Sequence, residues 1–77
     1  MNEAELNYLR QYAATLGDQF GVEATVSYDS NDGLIVVDAI GRAGAATPRS
    51  IRRSGRFESR EQAEALIDQV VRAASAF

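Results

Sequence analysis

The chain has no cysteine, no histidine, no lysine and no tryptophan, and only one proline. Each absence closes a class of explanation. Without cysteine there are no disulfides, and without cysteine and histidine together the usual zinc and iron–sulfur ligand sets are missing. Loss of the same two residues removes the commonest general base and the commonest thiol nucleophile. Long apolar runs are missing too. The longest is Leu34 to Val37, far short of the roughly 18 residues of a membrane span. Met1 is followed by Asn2 and Glu3 rather than by a basic start and an apolar stretch, so no secretory signal is expected and a cytoplasmic location is.

What remains is 77 residues, read as one small α+β domain spanning 1–77. A chain of this length buries only about 60% of the surface its unfolded form exposes, so packing alone, or packing plus a second copy, must hold it together.

Charge is the most informative feature. Nineteen consecutive residues, Ala39 to Phe57, contain Arg42, Arg49, Arg52, Arg53 and Arg56 and no acid. The remainder holds all 11 acids against three arginines, so a segment of charge +5 sits in a chain whose net charge is −3. Mixed signs favour ordinary surface pairing, and segregation of this kind marks where a partner would touch. All eight cations are arginine, which suits forked contacts with phosphate or carboxylate but also follows from an Ala- and Gly-rich composition. Their clustering is the informative part.

Periodicity places the elements. Asn2 caps a helix with Glu5 answering it, and Leu6, Leu9, Ala13, Leu16 and Phe20 then recur at three- and four-residue steps. Tyr8 and Tyr12 flank that stripe, and Gly17 and Gly21 offer two stops, of which Gly21 fits better. A helix over roughly 3–19 follows. Val22 to Asp29 alternates apolar and polar as a half-buried strand does. Ser30-Asn31-Asp32-Gly33 is a turn, and Leu34 to Ile40 is a second strand, apolar on both faces except at Asp38.

Gly41 to Pro48 reads as a long loop, and Ile51 to Phe57 as a weaker strand with a bulge or bend at Ser54-Gly55. Ser59 and Gln62 open a last helix whose apolar stripe is Ala63, Leu66, Ile67, Val70, Val71 and Ala74. Arg60, Glu61, Glu64, Asp68 and Arg72 face water on this reading.

The order is α-β-β-β-α, and short links favour a three-stranded antiparallel meander with both helices packed on one face. The other sheet face is left open. It would show Leu34, Val36 and Ile40 in the middle, Glu23, Thr25, Ser27 and Asp29 along one margin, and Arg56 with Arg52 or Arg53 along the other, depending on the bulge. An apolar centre between an acidic and a basic margin is the pattern of a contact surface. The simpler account is a β-prone central strand shielded by arginine stems.

The same order of helices and strands resembles that of double-stranded-RNA-binding domains. Those place a basic cluster at the start of the last helix, where this chain reads Ser59-Arg60-Glu61-Gln62-Ala63-Glu64, so no site residue is carried over. Gly41-Arg42-Ala43-Gly44 matches the GxxG of KH domains in letters, but there the loop joins two helices and here it follows a strand. Asp29, Asn31, Asp32 and Gly33 miss the spacing of a calcium loop, and Ile40 stands where its closing Glu would be.

The sequence thus leads to a non-catalytic protein-interaction module, with no enzyme activity, cofactor, metal or small-molecule substrate expected. Small acidic proteins of this kind are made by phages and mobile elements and act by occluding a host complex, including those that handle nucleic acid. The partner-binding residues expected are Arg42, Arg49, Arg52, Arg53, Arg56, Leu34, Val36 and Ile40. Two further expectations stand beside this one: a homodimer through the open sheet face, and a nucleic-acid-binding accessory protein that sets the five arginines against phosphates.

Overall fold

The computed structural model describes residues 2–41 and 50–75. Within them the order is α1 (Glu3–Phe20), β1 (Val22–Asp29), β2 (Leu34–Gly41), β3 (Ser50–Arg56) and α2 (Arg60–Ser75). The strands form one antiparallel sheet in the order β1-β2-β3, and the helices pack on one side of it.

Local chemistry explains each boundary. Asn2 accepts from the Glu5 backbone N–H at 2.8 Å, and the Glu5 carboxylate accepts from the Asn2 N–H at 3.4 Å, which completes the capping box. α1 ends at Gly21, whose φ of 68° is the left-handed conformation that glycine adopts without a Cβ penalty, and its N–H closes on the Gly17 carbonyl. The β1–β2 turn is held by Asp29, whose side chain accepts from the Asn31 N–H and whose carbonyl accepts from Gly33. Ser59 Oγ accepts from the Gln62 N–H and starts α2.

The core lies between the helices and the sheet. Leu9 and Ala13 of α1 and Ala63, Ile67, Val70, Val71 and Ala74 of α2 close over Val22, Val26, Ile35, Val37 and Ala39. Leu6, Leu16, Phe20, Ile51, Phe57 and Leu66 pack around its rim. No polar side chain is buried among the described residues.

Three sequence expectations change. Gly41 belongs to β2, paired with Val22, rather than opening the loop. It is buried at the sheet's covered face. There is no bulge at Ser54-Gly55: Val36↔Ser54, Ile35↔Gly55 and Leu34↔Arg56 pair in unbroken register. Gly55 keeps the strand straight beneath Leu66 rather than bending it, because the pairing needs no positive φ there. The strand begins at Ser50 and ends at Arg56, one residue earlier at each end than the sequence suggests. The expected loop residues 42–48, and with them Arg42 and Arg49, lie outside the described residues.

Candidate contact surface

Register decides which side chains share a face, because residues directly opposite in an antiparallel pair point the same way. Four rungs cross the side of the sheet that no described helix covers. They are Glu23–Ile40–Ser50, Thr25–Asp38–Arg52, Ser27–Val36–Ser54 and Asp29–Leu34–Arg56. The helices cover the other set, in which Val37 stands opposite Arg53.

The uncovered side therefore carries the three apolar residues expected of it. Ile40 is 47% exposed, while Leu34 and Val36 are partly shielded by their neighbours. β1 supplies an acidic margin through Glu23 and Asp29, and β3 a basic one through Arg52 and Arg56. The sequence could not choose between Arg52 and Arg53. With no bulge, Arg52 joins Arg56 on the open side, and Arg53 lies on the helix side of the edge strand, still exposed. The described arginines of the basic segment are thus divided between two faces.

Asp38, which interrupts the apolar centre, has a partner. Arg52 Nε donates to its Oδ1 at 2.7 Å across the β2–β3 pair. That carboxylate holds the Arg52 guanidinium more firmly protonated than usual. Such an exposed cross-strand pair adds little stability, but it neutralises the one charge that sits among Leu34, Val36 and Ile40. Among the described residues no ion pair engages Arg53 or Arg56.

The two sheet edges are treated differently. On β1, Arg10 of α1 reaches down and donates its Nε–H to the Val26 carbonyl at 3.0 Å. On β3 the edge is lined by Arg52, Arg53 and Arg56, and charge of this density discourages pairing with another strand.

Sequence reasoning missed a second constellation, on the far side of the molecule. Tyr8 and Tyr12 of α1 stack with ring centroids 6.5 Å apart, and the Tyr8 hydroxyl donates to Glu64 Oε2 of α2 at 2.6 Å. The Arg60 guanidinium lies 4.6 Å from the Tyr8 ring centroid, and that of Arg72 lies 4.9 Å from Phe20. Arg72 also pairs with Asp68 one turn back. Glu64 raises the Tyr8 pKa above its ordinary value, first by accepting its hydrogen bond. Burial does the same for Tyr12, with Asp68 and Glu64 adding to it.

Residues that the helix periodicity sends to water thus form a seam across the two helices. The i,i+4 spacings of Tyr8 with Tyr12 and of Asp68 with Arg72 were the local signals in the sequence. The hydrogen-bond partner of Tyr8, Glu64, is 56 positions away.

Glu64 and Asp68 are each occupied by a partner, Tyr8 is held protonated, and among the described residues no three carboxylates gather as a metal site would require. A shallow groove beside the seam is lined by Tyr12, Glu61, Glu64, Asp68 and Arg72 and opens widely to solvent. No helix among the described residues is long and apolar enough to cross a membrane.

No family model matches this chain, and no curated protein and no solved structure matches it.

Proposed function

We propose that this chain is a non-catalytic protein-interaction module. It is of the kind that phages and mobile elements use to bind and occlude a host complex that handles nucleic acid. It docks through the open sheet side and the arginine-rich strand and loop, with Leu34, Val36, Ile40, Arg42, Arg49, Arg52, Arg53 and Arg56 as contacts. The observation that carries this reading is the uncovered sheet face, whose apolar centre lies between opposite charges. An ordered three-stranded sheet leaves such a face uncovered only at the cost of hydrating Ile40 and its neighbours, and contact with another protein recovers that loss.

The nucleic-acid reading has less support. Five arginines meeting phosphates on duplex DNA would give a log-salt slope of about −4.5. Arg52, however, is engaged by Asp38, and Arg53 faces away from Arg52 and Arg56. The chain as a whole is acidic, with a pI near 4.7, and among the described residues no aromatic side chain shares a rung with Arg52, Arg53 or Arg56 to stack a base.

The test is capture of partners by wild type and by Arg52→Ala/Arg53→Ala/Arg56→Ala, with and without nuclease, after circular dichroism has confirmed that both are folded. A stoichiometric protein partner that survives nuclease and is lost with the triple variant is the expected result. Recovery of nucleic acid with a steep salt dependence would transfer the arginines to phosphates and end the protein-docking reading.

A further inference from the structure

With the open sheet side read as a contact surface, as above, we infer that its occupant is a second copy of the same chain. The two copies are related by a two-fold axis running parallel to β2. The reasoning is one of symmetry and charge. Two sheets can meet face to face about a two-fold axis in the plane between them, either along the strands or across them. An axis across the strands lays β1 on β1, acid on acid, and β3 on β3, base on base. An axis along β2 exchanges the margins, so the acidic edge of each copy lies over the basic edge of the other.

The rungs make this specific. Asp29 and Arg56 occupy opposite ends of the same rung, with Leu34 between them. Rotation about β2 keeps the rung and exchanges its ends, so Asp29 of each copy meets Arg56 of the other. The contact is isologous and closes on itself as a dimer, not a filament. Leu34, Val36 and Ile40 face their counterparts along the axis at the roughly 10 Å spacing of packed sheets. Asp38 also lies near the axis and faces its twin. The bond from Arg52 at 2.7 Å makes that approach tolerable, since two neutralised pairs meet in place of two bare carboxylates. Glu23 lies on the Ser50 rung, one step along the face from Arg52, and adds to the same complementarity.

The face is small. Three strands of seven or eight residues cover about 26 by 14 Å, so two copies bury on the order of 800 Å², at the weak end for a specific interface. A midpoint of roughly 10–100 µM follows, rather than an obligate dimer. The β3 edge and Arg53 stay outside the contact, and a host partner that engages Leu34, Val36 and Ile40 displaces the weakly held second copy.

Sedimentation velocity across a concentration series tests this on wild type, Arg56→Glu, Asp29→Lys and the double exchange. Wild type is expected to rise from the 8.3 kDa monomer toward twice that mass. Either single change places like charges opposite each other twice, and weakens association by about tenfold or more. Asp29→Lys/Arg56→Glu restores both pairs with their signs reversed, and its midpoint returns to within about threefold of wild type. Arg56 is exposed and outside any hydrogen bond that holds a turn, so Arg56→Glu remains informative even if Asp29→Lys disturbs the β1–β2 turn.

Three results would overturn the two-fold. One is a wild type that stays monomeric up to about 1 mM, well above the weak-interface range. Another is an Arg56→Glu variant that dimerises as wild type does. The third is a folded double exchange that remains as weak as the single changes. A monomeric wild type that still binds a nuclease-resistant partner, lost in the triple arginine variant, would reject the dimer while leaving the proposed function intact.

Discussion

Val36 and Val37 are chain neighbours with the same side chain, and they lie on opposite sides of one sheet. Val37 is fully buried beneath the helices. Val36 lies on the open side, partly exposed, between Ser27 and Ser54. The covered side obeys packing alone: among the described residues its buried members are aliphatic or small, and none of them is polar. The open side obeys a different rule, with acids on one strand, arginines on the other and aliphatic residues between. In a two-residue period, one set of positions packs the core and the other is released from that constraint. What the fold does not need is where the function is to be sought.

The pair itself offers the largest test. Val37→Glu forces a carboxylate into the aliphatic core, where it must either stay ionised without a partner or open the structure. The expected loss is about 4 kcal/mol or more, enough to unfold a chain this small. Val36→Glu is expected to cost about 1 kcal/mol or less and to stay folded, because its side chain lies on the open side, only partly shielded. It should instead abolish concentration-dependent association. Circular dichroism with urea titration reads the first effect, and sedimentation the second. Equal damage from both changes would mean that the open side is part of the core.

Two glycines sharpen the same contrast by backbone proximity. A Cβ on Gly17 would stand 2.4 Å from the Val22 carbonyl oxygen, a backbone atom with no room to yield where α1 turns into β1. Overpacking of about 3 kcal/mol, offset by about 1 kcal/mol of improved helix propensity, leaves Gly17→Ala less stable by about 2 kcal/mol. A Cβ on Gly55 meets only Leu66 Cδ2, at an ordinary 3.5 Å. Gly55→Ala should therefore gain about 0.5 kcal/mol from a stiffer strand. Urea midpoints of the two variants check this, and a destabilised Gly55→Ala would bring back the bulge that the sequence suggested.

How far these relations could be read in advance depended on their range. The alternation from Val22 to Asp29, the stripe from Ala63 to Ala74 and the stop at Gly21 are local, and they appear in the structure as the sequence implies. The composition of the open side was also legible, since it is the complement of the buried set. What was not legible required register or helix crossing. Arg52 and Arg53 exchange faces on a shift of one residue, and only the unbroken pairing of Val36 with Ser54 settles which is which. Asp38 looked like an interruption because its partner lies 14 positions away, beyond the 42–49 segment. The hydrogen bond from Tyr8 to Glu64 spans 56 positions and exists because α1 and α2 lie side by side. No periodicity within either helix carries that information.

That last contact yields the smallest effect and a direct reading of the helix side. The Tyr8 phenol is held above its ordinary pKa of 10.0, chiefly because only its protonated form can donate to Glu64, with lost hydration and the Glu64 charge acting in the same direction. A raised folded-state pKa means that the contribution to stability is complete below the unfolded value and disappears as pH climbs through the folded one. The loss therefore falls on the alkaline side of pH 10 and is slight, because Tyr8 is exposed. Phenolate absorbance of wild type minus that of Tyr8→Phe should develop above pH 10, and Glu64→Ala should bring it back toward the ordinary range by removing both the acceptor and the charge. Val36→Glu, on the opposite side of the sheet, should leave the titration unchanged. A Tyr8 that ionises at its ordinary value would mean that the seam does not hold in solution, and the helix side would then be plain hydrated surface.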